Sequence, residues 1–249
     1  MTDSPVSRET PSTPDLARRV FSPVRLPLVE RYAGLLATEG VVRGLIGPRE
    51  APRLWERHLM NCAVLAELIP HGVTVCDIGS GAGLPGLVLA VARPDLQITL
   101  IEPLLRRTTF LSEVVEQLEL SHVEVVRARA EALHGSRRFD VVTSRAVAPL
   151  ERLLGWSMPL VAPLGALVAM KGTSVGEEIE QAAPVLQRLR CTLPSVHTLG
   201  AEILVSPTLA VRVAWADPGQ VSWPLASGTT STPARSSSRG GRAKRRRTG

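Results

Sequence analysis

The sequence predicts an α/β protein built on a doubly wound, mostly parallel sheet, with helices at its N-terminal end and an antiparallel hairpin at its C-terminal end. Three observations carry that expectation. Short β-type runs alternate with segments of helical period through the middle of the chain, the mark of parallel strands joined by crossover helices. The first such run opens directly into a glycine-rich loop and then a helix. Two further β-type runs near the end of the chain are joined through Ser206 and Pro207, a hairpin pattern.

Taken in order, residues 1 to 22 are rich in Ser, Thr and Pro and lack apolar periodicity, so they read as a flexible leader without the apolar stretch of a secretory signal. From Leu26 to Ile46 and from Arg53 to Ile69 apolar residues recur at spacings of three and four, which predicts two amphipathic helices; Pro52 suits the first turn of the second, and Pro70 with Gly72 ends it. Val73 to Ile78 is a strand, residues 79 to 86 are the glycine loop, and Leu87 to Ala92 resume a helix. Strands follow at Leu96 to Ile101, Val123 to Arg127, Phe139 to Ser144 and Gly165 to Met170, with a helix at Arg106 to Leu118 and another at Val175 to Leu189. The hairpin strands are Thr198 to Val205 and Leu209 to Ala216. One domain over residues 23–217 is the expected unit, and residues 218–249, mostly Gly, Ser, Thr, Pro and Arg, read as a disordered basic tail.

Composition narrows the class. A chain of 249 residues that is 44% hydrophobic buries one α/β core of ordinary size. The apolar run from Leu150 to Val168 is broken by Pro159, Pro163 and Gly165, so no membrane span is expected and the cytoplasm is the default location. Cys62, Cys76 and Cys191 are widely separated and without a C-x-x-C, which argues for three buried apolar thiols rather than a disulfide framework or a zinc site. The net charge of +6 is misleading, because Arg235, Arg239, Arg242, Lys244, Arg245, Arg246 and Arg247 together exceed it and leave the body slightly acidic. An RNA-binding surface on the body must be a local patch. The tail either adds salt-sensitive phosphate affinity or only solubilises.

The glycine loop is ambiguous as a pattern. Gly79-x-Gly81-x-Gly83 overlaps Gly81-x-Gly83-x-x-Gly86, which admits a dinucleotide site. The flanking acids separate the possibilities. Asp77, just ahead of the glycines, opposes a pyrophosphate but suits the ammonium group of S-adenosylmethionine, and Glu102, at the end of the second strand, is placed to accept from ribose hydroxyls. The bland alternative makes Asp77 a turn cap and Glu102 a helix cap.

These residues belong to a larger pattern. Asp77-Ile-Gly-Ser-Gly-Ala-Gly-Leu-Pro-Gly86, then Arg106-Arg-Thr-Thr-Phe-Leu111, Ser144-Arg-Ala146 and Met170-Lys-Gly172 closely resemble the small-subunit rRNA guanine-N7 methyltransferases once called glucose-inhibited division protein B, with order and spacing kept from residue 30 or so to residue 215. The resemblance implies a class I Rossmann-like methyltransferase fold, S-adenosylmethionine as cofactor, and methylation of N7 of one guanine in 16S rRNA, as naked rRNA or in the small ribosomal subunit. No obligate protein partner is implied. It also implies cofactor contacts at Gly79, Gly81, Gly83 and Leu84, at Ala130 and Glu131 for the adenine, and at Arg145. Gly44-Leu45-Ile46 departs from the Asn-Leu-Thr motif of many relatives, although Arg57-His58 is kept. With Lys171 the only lysine ahead of the tail, the arginine excess points to a GC-rich genome and an actinobacterial branch.

Guanine N7 offers an in-plane lone pair and carries no proton. Its attack on a sulfonium methyl group needs no general base, so no obligatory catalytic side chain and no metal are expected; positioning and exclusion of water supply the rate. Arg57, His58, Arg106, Arg107, Arg145 and Lys171 are the candidates for an RNA-facing rim, with Trp55 and Trp156 as stacking surfaces. Each also has a structural alternative as solvated helix charge, interior histidine or core tryptophan. The competing functions are a class I methyltransferase for a small molecule or protein, a dehydrogenase using the shifted glycine pattern, and a noncatalytic RNA-binding protein.

Overall fold

The computed structural model describes residues 12–221. The first eleven residues of the expected leader and most of the expected basic tail, including its seven cationic side chains, lie outside the described residues. Seven strands form one sheet in the order β3-β2-β1-β4-β5-β7-β6: β1 Thr74–Ile78, β2 Gln97–Ile101, β3 Val123–Val126, β4 Phe139–Arg145, β5 Val161–Lys171, β6 Ser195–Leu199 and β7 Thr208–Ala214. The first five are parallel; β7 runs antiparallel to β5, and β6 antiparallel to β7. The chain order reverses between β1 and β4, and a ligand site belongs outside the carboxyl ends of those two strands.

The central strands are continuous apolar runs because both faces of the sheet are covered. Alternate residues of β1 show this directly: Val75 packs into one apolar cluster while Cys76 and Ile78 pack into the other. The first cluster is completed by α2 (Leu26–Leu35), α3 (Met60–Ala63), α4 (Gly86–Ala92) and α5 (Leu105–Gln117), and the second by α6 (Leu150–Ser157) and α7 (Val175–Leu189). Among the described residues no helix is long and apolar enough to cross a membrane. Cys62 and Cys76 are buried free thiols, while Cys191 is only half-buried.

Four expectations need correction. Packing begins ahead of residue 23: Ala17–Val20 form a short helix, α1, and Ala17 and Phe21 are fully buried against the first cluster. The two N-terminal helices are not continuous, since α2 passes into a wide turn at Leu36–Gly40 and the second segment alternates wide and tight turns through Trp55–Leu59, α3 and Val64–Leu68. Strand β5 starts at Val161 rather than Gly165, because the register with β4 jumps from Phe139↔Val161 to Val141↔Ala166 and the bulge absorbs Pro163 and Gly165. The hairpin strands end and begin elsewhere than expected: residues 200–207 form a loop in which Ile203 and Leu204 turn back on Gly200, φ +67°, and pack on the core.

Phe21→Ala should therefore cost about 3–5 kcal/mol in denaturant unfolding, the usual loss for emptying a buried aromatic site. A change below about 0.5 kcal/mol, typical of surface positions, would restore residues 12–21 to a loose leader.

Candidate active site

The loop after β1 is shaped by contacts that glycine alone permits. Gly79 and Gly83 take φ of +67° and +98°, and a Cβ on either would meet Val147 at 2.9 Å or Leu87 at 2.3 Å. Gly86 is required by proximity: an added Cβ would lie 2.3 Å from Leu100 Cδ2 and 2.7 Å from Asp77 Oδ2. That closeness explains the last residue of the Leu-Pro-Gly run. The Gly86 amide donates to Asp77 Oδ2 at 3.0 Å and fixes the start of α4 against the sheet.

Asp77 is wholly buried behind the loop and is not among the residues that line the cavity in front of it. It was expected to meet the cofactor's ammonium group directly or through water; its Oδ2 is taken by the loop, and its Oδ1 has no hydrogen-bond partner. Burial pushes its pKa up to about 7, against the opposing effect of the Gly86 amide. A carboxylate so placed would be kept ionised by a cationic ligand nearby.

The cavity itself is about 690 Å³ and lies at the carboxyl ends of β1, β2 and β4. Gly79, Gly81, Leu84, Glu102, Ala130, Glu131 and Arg145 all line it, which brings together most of the residues singled out for the cofactor; Gly83 shapes the loop from outside the lining. Glu102 is 1% exposed, accepts from the Gly81 amide at 3.1 Å and from the Leu104 amide at 3.0 Å, and pairs with Arg107 at 3.3 Å. Arg107, a candidate for the RNA-facing rim, lines this cavity beside Glu102. Trp156, half-buried under Arg152, lines the same cavity, while Trp55 is a core residue at 4% exposure. Arg106 is exposed and touches neither cavity.

The loop amides discriminate between cofactors. A pyrophosphate is gripped by backbone N–H groups at the glycine loop and the helix N-terminus. Here the amides of Gly79 and Ser80 donate to Ile101 O, that of Gly81 to Glu102, those of Gly83 and Leu84 to Ser80 O, and that of Gly86 to Asp77. These six amides are engaged within the loop and its neighbours, which leaves Ala82 as the one loop amide between Gly79 and Gly86 with no such bond. Facing them are a buried carboxylate and apolar walls from Ile78, Ile101, Ala128 and Val147, a setting for a nucleoside that carries positive charge and no phosphate.

A second cavity of about 530 Å³ adjoins the first through Arg145, Ala146 and Val147, and is completed by the ends of β4 and β5 and by Pro207 to Leu209. Ala146 takes φ +53°, a left-handed conformation rare for a residue with a Cβ, at the point where the two cavities meet. Arg145 Nη2 contacts His58 Nδ1 and its Nη1 lies 3.3 Å from Cys62 Sγ. His58 Nε2 is 2.9 Å from Glu50 Oε2, and Arg57 Nη1 reaches Glu50 Oε1 at 3.2 Å. Lys171 lines the second cavity; its side chain is 7% exposed, and its ammonium donates to Glu178 at 2.7 Å and to Ala148 O at 2.8 Å. Among the described residues no group of three or more His, Cys, Asp or Glu could hold a metal ion.

Tyr32 is the contributor that sequence reasoning missed. It is fully buried on α2, and its hydroxyl donates to Ala82 O at 2.6 Å, pinning the glycine loop from the N-terminal side; as the single tyrosine of the chain it was the available signal. Leu45 and Ile46, part of the segment that departs from the Asn-Leu-Thr motif, line the first cavity.

A doubly wound sheet with this loop and these acids defines a class I, S-adenosylmethionine-dependent methyltransferase. The chain belongs to the rRNA small subunit methyltransferase G family, whose pattern matches residues 25–205. It is 70% identical to the ribosomal RNA small subunit methyltransferase G of a Nocardioides species over 91% of this chain and 90% of that protein. It is 53% identical to the protein of the same name from Thermobifida fusca, over 94% and 96% respectively. Both sources are actinobacterial, in keeping with the arginine-rich composition. A crystal structure of a mutant MtNAS shares the fold at a TM-score of 0.53 and 18% identity, covering 77% of this chain and 74% of that one.

Because Asp77 binds its proton more tightly folded than unfolded, the stability of the unliganded chain should fall as pH rises from about 4 to about 7 and then level. Asp77→Asn keeps an acceptor for Gly86 and should flatten that decline in melting temperature; an unchanged pH profile would show that Asp77 is not the group responsible.

Proposed function

We propose that this chain transfers a methyl group from S-adenosylmethionine to N7 of a guanine in 16S ribosomal RNA, with the first cavity taking the cofactor and the second the flipped-out base. The observation that carries this reading is the chemistry of the second cavity. Among the described residues its only lining carboxylate is Glu178, already engaged by Lys171, by the Leu150 amide at 2.8 Å and by Ser174 Oγ at 3.4 Å. Burial alone would raise the Glu178 pKa, but these donors outweigh it and hold it below the ordinary value. A group so paired is a poor proton acceptor. Exocyclic amines and ribose hydroxyls must lose a proton on methylation, whereas N7 has none to lose, and it is the acceptor that such a site serves.

The family's name supports ribosomal RNA of the small subunit as the substrate class. Held in the first cavity, S-adenosylmethionine would supply an electrophilic methyl group on a sulfonium. Glu102 would accept from the ribose hydroxyls while remaining tied to Gly81 and Leu104, and Ala130 and Glu131 would border the adenine. Asp77, behind the loop, would act through Gly86 and through its charge. Leu84 in the first cavity and Val147 at the junction would turn apolar surface to the reacting groups, and Arg145, which lines both cavities, would orient the acceptor base. Arg57, on the rim of the second cavity, and exposed Arg106 are the remaining RNA contacts of this reading. The working unit is the domain of residues 23–217 together with the packed segment from Ala17, and it would act in the cytoplasm, where ribosomal subunits mature.

Incubation with labelled S-adenosylmethionine and small subunits lacking the modification, followed by reduction and aniline cleavage, should give one cleavage stop in 16S rRNA. Glu102→Ala should lower kcat/KM on the order of 100-fold, the scale of lost hydrogen bonds to a charged group. Cofactor binding without label in RNA would favour a small-molecule or protein substrate.

A further inference from the structure

His58 lies between two groups of opposite charge that come from distant parts of the chain. Glu50 precedes the second helical segment, and Arg145 ends β4 where the two cavities meet. A guanidinium has donors and no acceptor, so the Nδ1 facing Arg145 must carry no proton. The ring hydrogen is then on Nε2, where it donates to Glu50 Oε2 at 2.9 Å. The two partners admit one neutral tautomer and leave no place for the imidazolium.

We infer that His58 is a positioning residue: as the neutral Nε2–H tautomer it holds the Arg145 guanidinium at the junction of the cavities, and its protonation releases that guanidinium and slows transfer. The inference rests on the reading that the second cavity takes the acceptor base. A ring protonated on both nitrogens would point a hydrogen and a positive charge at Arg145, and the contact could not persist.

The surroundings of His58 oppose that protonation. Burial comes first, then the charge of Arg145, with Arg57 adding to both; Glu50 alone pulls the other way, and the net effect holds the His58 pKa below its ordinary value. Glu50 is ionised, since burial of its carboxyl is outweighed by His58, Arg57 and Arg53. Cys62, on the far side of the guanidinium, is wholly buried; burial raises its pKa, so it remains a neutral thiol, and the other acid that feels the charge of Arg145 is Asp77, behind the glycine loop. Arg145 is therefore steered by a chain running Glu50 to His58 to Arg145, and the N-terminal segment that supplies Glu50 also walls the first cavity through Leu45, Ile46 and Gly47.

The test combines ring-nitrogen NMR of the unliganded protein with rate measurements on small subunits. NMR should show His58 as the Nε2–H tautomer, titrating below the ordinary histidine range; an Nδ1–H ring would overturn the inference whether or not the protein methylates RNA. In the rate profile from about pH 5 to about pH 9, wild-type kcat should fall on the acid side. His58→Asn sets an oxygen near the Nδ1 position, so it should keep most of the rate at neutral pH and lose the acid limb. His58→Ala should reduce kcat on the order of 10- to 100-fold, the loss of one hydrogen bond to a charged group. Glu50→Gln removes the charge that favours the imidazolium, so it should move the acid limb to lower pH. Equal losses in the Asn and Ala variants, or an unchanged acid limb in His58→Asn, would reduce His58 to a packing residue. A wild-type protein that transfers no label to rRNA would instead remove the function proposed above, and the NMR result would still decide the tautomer.

Discussion

The hydrogen bond from the Gly86 amide to the buried Asp77 carboxylate is the contact on which the site depends. It joins the end of β1 to the start of α4 across the whole glycine loop. A buried carboxylate with one oxygen unpartnered is costly to hold. The geometry that accommodates it is correspondingly tight, with Leu100 and Asp77 leaving no room for a side chain at residue 86. Once that closure is made, Gly79, Gly81 and Gly83 must take left-handed backbone angles, and most of the remaining loop amides turn inward to Ile101, Ser80 and Glu102. The loop becomes a largely self-satisfied wall rather than a phosphate cradle. The same glycine pattern that admits a dinucleotide in one dimension offers a pyrophosphate few amide donors in three.

The N-terminal segments complete what the sheet begins. Tyr32 fastens the loop from outside, Leu45 to Gly47 close the first cavity, and Glu50 with His58 steers Arg145 at its inner edge. These residues are part of the catalytic body, and Ala17 and Phe21 extend that body further toward the N-terminus. On the opposite side, Lys171 and Glu178 form a nearly buried pair that also caps the Leu150 amide and braces α6 and α7 beneath the second cavity. Breaking such a pair leaves an uncompensated charge, so its role is to hold the floor of the cavity rigid. It also withdraws the one carboxylate that could have served as a base.

A reaction whose nucleophile has no proton to lose places few demands on side-chain chemistry. What it needs is a dry junction between two adjacent cavities and an acceptor held in line. The strained Ala146, packed beside the Val147 that limits Gly79, provides that junction from backbone geometry alone. The arrangement accounts for the dispersal of the recognisable motifs over the ends of several different strands.

The sequence by itself determined the fold class, the strand and crossover-helix order, the position of the loop and the acids beside it. Those features are local: alternation of period, glycine spacing and a carboxylate at a strand end are written in neighbouring residues. It also carried enough motif to point to the family. Only the tertiary structure decided which way the chemistry faces. Asp77 turned behind the loop, Lys171 into an ion pair, His58 onto Arg145 and Arg107 onto Glu102, because each orientation depends on how the folded strands and helices bring the partners together. The bulge in β5, the loop over Gly200 and the burial of Phe21 were illegible for the same reason. Each is a response to a surface that exists only after the sheet has formed.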